Sequence, residues 1–461
     1  MIRVYFCRED DVMERTYLAK IVEWYRKKEH RKPLLIWGAR QIGKSYLIKN
    51  LFADKYLKDY VYIDLKKDEK AAKFFSTTVD DEKYLQFIEL SYGKKISNDC
   101  PLIIDEAQTC PNVVTSLKYF NQDHPELPVI VTGSMVRLAL CRSDKSGMDA
   151  QLFPVGKINS LYMYPMNFEE YLLNRNKALL SKIIEAYKSK TPLEAYLHEM
   201  ALDVLHEYLS IGGLPEAVDR FLESHSYIDA KEVVKELYDN YIADMALYNV
   251  SNEMILKTRN IYRNIFSQLN KENKNFKIAA IERGKSNRDY FGAYEWLDFA
   301  HIIYRSKHKS GKLTSPLVDE EGGLFRLYLA DPGLFAAESN IDASMMLSGE
   351  GRGELSGVFY ESYVADELVR CGVPLFYWTG KQQHEFEFVV DVAGVIHPID
   401  VKKGRGTLNS LKDFRELNRK TTAVKISSNN YGYNAENDVL TIPLYMTFLF
   451  AKDISENKFP L

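Results

Sequence analysis

The sequence lacks the features that would place it in several large classes of protein. Its five cysteines (Cys7, Cys100, Cys110, Cys141 and Cys371) are scattered and form no CxxC pair. That excludes a disulfide framework and a zinc knuckle, and it fits a reducing compartment. The histidines show no metal-ligand spacing, so no zinc is expected. The longest apolar run, IPLYMTFLFA at 442–451, falls well short of the roughly 20 residues a membrane-spanning helix needs. The start, MIRVYFCREDDVMER, has charges where a signal peptide needs its apolar core. The expectation is a cytoplasmic protein with no membrane partner. There is no excess of either charge: 61 Lys and Arg stand against 64 Asp and Glu, for a net charge of −3. A uniformly basic nucleic-acid coat is therefore excluded, while local basic patches remain open. Internal repeats and low-complexity tracts are absent.

What is present is ordinary globular composition, 46% hydrophobic and 27% charged, over a length that suits about three domains. The pattern changes at three places, which divides the chain into residues 1–172, 173–250, 251–340 and 341–461. In the first, short and nearly continuous apolar runs alternate with amphipathic stretches: LLIW (34–37), YVYIDL (60–65), PLIID (101–105), PVIVTG (128–133) and INSLYMY (158–164). Runs of that kind are buried parallel strands, and the segment reads as an α/β layer sandwich. RSDKSGMDAQ (142–151) reads as a polar loop. Residues 173–250 are helical in pattern, broken by SIGGLPEA (210–217). The last segment returns to mixed α/β after the glycine-rich SGEGRGELSG, which reads as a linker.

Residues 34–51 read LLIWGARQIGKSYLIKNL, in which Gly38, Gly43, Lys44 and Ser45 complete G-x-x-x-x-G-K-[ST]. The chemistry needs these types. Glycines let backbone N–H groups turn inward on a phosphate, Lys44 places a point charge at the β- and γ-phosphates, and the Ser45 hydroxyl ligates Mg²⁺. The phosphate-binding stretch is Gly38, Ala39, Arg40, Gln41, Ile42, Gly43, Lys44, Ser45 and Tyr46. The helix opening at Lys44 points its positive dipole end at the same anion. Downstream, PLIIDE ends a strand in two carboxylates: Asp105 to hold Mg²⁺, and Glu106 to polarise the attacking water. The next strand ends in Thr132, Gly133 and Ser134. Ser134 is the first choice for a polar sensor of the γ-phosphate and Thr132 the second. Arg40, Arg137 and Arg142 are all candidates for an arginine near that phosphate, and the sequence does not choose among them.

These motifs, taken with PMNFEEYL (165–172), YLSIGGLPEAV (208–218) and FRLYLADPGLFAA (325–337), resemble a large prokaryotic family of AAA-type ATPases. Its members typically carry a C-terminal domain of undefined function with a restriction-endonuclease-like core. The resemblance covers nearly the whole chain. It implies ATP rather than GTP as ligand. Members often have an arginine in the segment matching PVGKI, where this chain has Lys157.

The expected fold is thus α/β, a P-loop NTPase with a parallel AAA-type sheet, followed by a helical lid, a winged helix and a restriction-endonuclease-like α/β domain. For the winged helix, helices are expected near 257–270, 277–283 and 287–301, with a hairpin from HIIYR (301–305) and LFRLYLA (324–330). The resemblance implies the same. The hairpin is basic through Arg305, Lys307, Lys309 and Lys312, which suits DNA phosphates. The third helix carries Asp289, Glu295 and Asp298, which suits packing on protein instead.

Near the C-terminus, HEFEFVVDVAGVIHPIDVKKG (384–404) reads as two strands joined at Ala393-Gly394. Glu387 lies on the first. Asp400 and Lys402, two apart, share a face of the second. That is the arrangement of Mg²⁺-dependent restriction-type nucleases, and equally of a solvated hairpin. Glu361 falls on an apolar stripe of the preceding helix and needs a partner, a metal ion or Lys402. The family's site positions match Glu361, Glu387, Asp400 and Lys402, but Glu387 stands where aspartate is usual and Asp400 where glutamate is usual. The leading expectation is an ATP-hydrolysing enzyme whose C-terminal half responds to the nucleotide. The alternatives are a slow nucleotide-dependent switch that binds DNA or a partner protein, and an ATP-gated Mg²⁺-dependent DNase. A homo-oligomer is left open.

Overall fold

Every expected apolar run of the first segment forms a strand: β1 (Leu34–Gly38), β2 (Val61–Asp64), β3 (Leu102–Asp105), β4 (Val129–Ser134) and β5 (Asn159–Tyr162). The computed structural model describes residues 13–134, 154, 156–248, 251–319, 323–339, 355–381, 384–402, 409–418 and 421–461. The strands make one parallel sheet in the order β2-β3-β4-β1-β5. β1, β3 and β4 are buried at every residue, which is why their sequences show no alternation. β2 alternates and β5 is half exposed because they are the two edges. β4 runs between β1 and β3, so the carboxyl ends of the three motif-bearing strands lie side by side. Ligands of open parallel sheets bind at such ends.

The chain forms two compact units, Met1–Pro165 and Met166–Leu461, and the parallel sheet belongs to the first. The loop expected at 142–151, Arg137, Arg142 and the greater part of the glycine-rich stretch before 355 lie outside the described residues.

The second unit opens with helices Phe168–Arg175, Lys177–Ser189, Ala195–Ile211, Pro215–Ser224 and Tyr227–Tyr248. Asn167 and Asn176 cap the first two, each accepting a backbone N–H at 3.0 Å. The region expected to be a winged helix has Asn252–Tyr262, Ile265–Leu269 and Phe291–Phe299 as helices. The element expected at 277–283 is only a single turn, Ile278–Ala280. β6 (Ile303–Ser310) and β7 (Phe325–Leu329) pair antiparallel as the expected hairpin. β6 also pairs in parallel with β8 (Phe376–Thr379), and β9 (Glu385–Phe386) completes the sheet β7-β6-β8-β9. Residues 251–340 and 341–461 therefore share one sheet.

A second sheet follows the order β10-β11-β12-β14-β13, from β10 (Phe388–Val392), β11 (Val395–Lys402), β12 (Ala423–Ser427), β13 (Gly432–Asn434) and β14 (Val439–Pro443). Ala393 and Gly394 both have positive φ, +50° and +86°, which joins β10 to β11 by the turn that matches strand twist. Helix Leu355–Arg370 packs against β6, β7 and β11. It is buried all round from Val358 to Leu368, wider than the single stripe expected, so it forms the centre of this unit.

Candidate nucleotide site and acidic cluster

The phosphate loop is shaped by its glycines. Gly38 has φ +156°, and a Cβ there would lie 2.2 Å from the Met163 carbonyl oxygen. Gln41 (+59°) and Gly43 (+82°) follow in the left-handed region, so successive N–H groups turn toward one side. Helix begins at Lys44 and widens to a π-helical stretch over Leu47–Ala53. Leu47, Ile48, Leu51 and Phe52 are buried, as the apolar face expected. Arg15 braces the loop from behind, its guanidinium donating to the carbonyls of Ile42 and Tyr164 at 2.8 Å each.

The Lys44 ammonium is buried and folds back on the loop, donating to the carbonyls of Ala39 at 2.5 Å and Gly38 at 3.3 Å. Burial pulls its pKa down to about 8, although Glu106 and Asp105 oppose that fall. Asp105 is buried at the end of β3. One oxygen accepts from the Tyr62 hydroxyl at 2.7 Å and the other from the Glu106 N–H at 2.8 Å. Glu106 stands in the left-handed region at φ +59°, which turns it out of the strand into the cleft. Gln108 joins two strand ends: its amide N–H donates to Glu106 Oε2 at 2.7 Å and its carbonyl accepts from the Ser134 N–H at 2.9 Å. Ser134 is the register partner of Gly38.

The structure thus brings Lys44, Asp105, Glu106 and Ser134 to one edge of the sheet, with Ser45 in the next position of the loop. Thr132 is buried further down β4. Arg40 is half-buried on the loop itself. Residues 30–172 match the family model of an AAA domain. This part of the chain is an AAA-type P-loop ATPase domain.

Beyond the ATPase domain, residues 202–345 and 356–445 each match a family model described only as a domain of unknown function. An uncharacterised protein of Methanocaldococcus jannaschii is 22% identical over 280 residues. The match covers 59% of this chain but 55% of that protein, so the chain spans about half the length of its relative. Two solved structures are similar at low identity. A Walker-type ATPase of Pyrococcus abyssi is 15% identical, with TM-score 0.43 over 72% of this chain and 97% of that one. The Orc1 protein of Aeropyrum pernix in complex with DNA is 12% identical, with TM-score 0.29 over 73% and 93%. Among the described residues no helix is long and apolar enough to cross a membrane.

Sequence reasoning did not find Tyr62, Arg15 or Gln108. Gln108 sits inside LIIDEAQ, but nothing in its spacing says that it reaches β4.

In the second unit, Glu361, Glu387, Asp400 and Lys402 do converge, with a partnership different from the one expected. Glu361 is partnered by Tyr328, Arg326 and Lys274 and not by Lys402. Its Oε1 accepts from the Tyr328 hydroxyl at 2.7 Å and from Arg326 at 3.2 Å, and its Oε2 accepts from Lys274 at 2.5 Å. Burial alone would raise the Glu361 pKa, but Lys274 and Arg326 outweigh it and hold the carboxyl below its usual range. Lys402 pairs with Asp400 at 2.9 Å instead. Burial and the neighbouring Glu387 push Asp400 upward. Among the described residues, no group of three or more His, Cys, Asp or Glu side chains is arranged to hold a metal ion.

The basic hairpin is also largely matched by acids. Arg305 bonds Asp298 at 2.6 Å and Glu295 at 2.8 Å, and Lys307 pairs with Asp319. Lys309 is buried against the Phe376 ring. Phe291, Val318 and Leu324 line the same groove, of about 1370 Å³, with large exposed apolar surface.

Proposed function

We propose that the first unit binds ATP with Mg²⁺ and hydrolyses it. The observation that carries this reading is the Lys44 ammonium, buried in the loop and bonded to the carbonyls of Gly38 and Ala39, beside strand ends that bear Asp105 and Glu106. An ammonium in that position exchanges weak carbonyl partners for phosphate oxygens when nucleotide arrives. The inward-turned N–H groups of residues 39–45 then hold the phosphates. Ser45 and Asp105 fit a Mg²⁺ ion, which when bound neutralises charge on the β- and γ-phosphate oxygens. Tyr62 keeps the Asp105 carboxylate oriented. Glu106 accepts a proton from the attacking water as the water's oxygen bonds to the γ-phosphorus and ADP leaves. Ser134, at the end of β4, reads the γ-phosphate.

The test is turnover of radiolabelled ATP. Wild type should release phosphate, Glu106→Gln should bind ATP without releasing it, and Lys44→Ala should lose binding. Equal background release by wild type and Glu106→Gln would sink the hydrolysis reading. Stabilisation of Lys44→Ala by Mg-ATP would sink the site.

For the second unit, helices Asn252–Tyr262 to Phe291–Phe299 with the β6–β7 hairpin act as a winged helix that docks a protein partner rather than DNA. Pairing of Arg305 and Lys307 with acids leaves little free cation for phosphates, while Phe291, Val318 and Leu324 offer apolar contact. DNA binding with a steep salt dependence, lost on Lys312→Ala, would reverse that preference. Residues 341–461 carry the nuclease-like fold in this reading.

A further inference from the structure

The carboxylates that a Mg²⁺-dependent nuclease would use do not fit a metal ion here. A divalent ion of that kind needs near-octahedral oxygen ligands at about 2.1 Å with their lone pairs free. Both oxygens of Glu361 are already occupied, one by Tyr328 and Arg326, the other by Lys274. Glu387 gives one oxygen to the Val401 N–H at 3.1 Å, and its other lies 3.7 Å from the same Lys274 ammonium. Glu385, the fourth acid of the group with Asp400, lies 3.7 Å from Lys274 and 2.6 Å from Arg326. A single ammonium is therefore the common neighbour of Glu361, Glu385 and Glu387.

Lys274 is also held in place. It comes from the loop after helix Ile265–Leu269, and the next two residues are anchored. Asn275 accepts from the Tyr377 hydroxyl at 2.5 Å, and the Phe276 N–H donates to the Phe325 carbonyl at 2.9 Å. Arg326 is fixed in the same way, fully buried with its guanidinium 4.2 Å from the centre of the Tyr377 ring.

We propose that Lys274 is the resident cation of this pocket: its ammonium stands where the acids would otherwise gather a divalent ion, and excludes one. Removing the ammonium then opens the pocket to a divalent ion, and removing an acid as well closes it again. The inference is independent of the ATPase reading, since no nucleotide enters it.

The experiment titrates Mn²⁺ into nucleotide-free full-length protein, following free Mn²⁺ by electron paramagnetic resonance and thermal stability in parallel. Wild type should show no Mn²⁺ site that depends on Glu361, and its Tm should not rise with Mn²⁺. Lys274→Met should have a lower Tm than wild type, gain one Mn²⁺ per chain, and recover several degrees in millimolar Mn²⁺. Lys274→Met/Glu361→Gln should lose both gains. Wild-type Mn²⁺ binding abolished by Glu361→Gln would overturn the proposal, whether or not the Lys274 variant folds. So would a folded Lys274→Met that takes up no extra Mn²⁺.

Discussion

At the scale of single residues, the nucleotide site depends on side chains tied across long stretches of sequence. Gln108 is the clearest case. It is a positioning residue that links the Glu106 carboxylate to the backbone of Ser134 on the neighbouring strand. Replacing it by alanine frees Glu106 without touching phosphate. Gln108→Ala should lower the kcat for ATP by about tenfold, an order of magnitude less than loss of a general base, with KM unchanged. Steady-state kinetics checks the split, and a raised KM with normal kcat would refute it. Lys44 gives a second test. In the free protein its pKa is about 8, and bound phosphates favour the protonated form. Below pH 8 binding needs no extra proton. Above it each binding event takes one up, so affinity for a non-hydrolysable ATP analogue should weaken toward about tenfold per pH unit. Calorimetry in buffers of different ionisation enthalpy measures that uptake; a flat Kd from pH 7 to 9.5 would contradict it. The P-loop and its acids were legible because their chemistry is written in contiguous residues. Tyr62, Gln108 and Lys274 were not, because what matters is where their tips arrive. Lys274 lies in KENKNFK, a stretch that reads as any solvated loop.

At the scale of elements, the buried parallel strands announced themselves as unbroken apolar runs, and the β10–β11 hairpin as Ala-Gly between apolar flanks. Short turns did not, and the single turn at Ile278–Ala280 stands where a helix was expected. The three later motifs that carried the family resemblance, PMNFEEYL, YLSIGGLPEAV and FRLYLADPGLFAA, meet through backbone groups. Asp331 accepts the N–H groups of Gly213, Gly333 and Leu334 at 2.7, 2.8 and 3.1 Å. Gly213 accepts the Met166 N–H at 2.6 Å, and Glu367 takes the Phe168 N–H at 3.2 Å. The segments PMNF, GGLP and DPG thereby close on one another through backbone groups. A Cβ on Gly213 would sit 1.7 Å from the Met166 carbonyl oxygen, and backbone on both sides cannot yield. Gly213→Ala should cost about 3 kcal/mol, at the upper end of overpacking penalties. Denaturant melts of the full chain would show it, and an unchanged midpoint would mean that the junction is looser than described.

At the scale of the whole molecule, the second unit stores buried carboxylates at a cost in stability. Burial raises Asp331 and Glu367 to about 7 and Glu338 to about 8. An unfolded chain ionises the same groups near 4. Between those limits the folded state holds more protons than the unfolded one, so stability falls as pH rises from about 4 to about 8. Glu338 is the cleanest probe: one oxygen accepts the Phe266 N–H at 3.0 Å, and the other is buried without a hydrogen-bond partner among the described residues. Glu338→Gln should reduce the fall in Tm between pH 5.5 and 8.5 by about 2–4 °C. An identical pH profile in the variant would show that Glu338 is not the group responsible. The sequence pattern marked four segments, and the structure has two compact units. Composition shifts track local periodicity, whereas β6 pairing with β8 is a long-range event that no local pattern encodes.

That pairing limits how the chain can be divided in the laboratory. A recombinant fragment starting at residue 341 would leave β8 without β6 along one whole side, offering bare N–H and C=O groups to any extended chain nearby. Inclusion bodies are the expected result. A cut between Pro165 and Met166 breaks no strand pairing of either sheet in the second unit, and is where expression trials of separate halves belong.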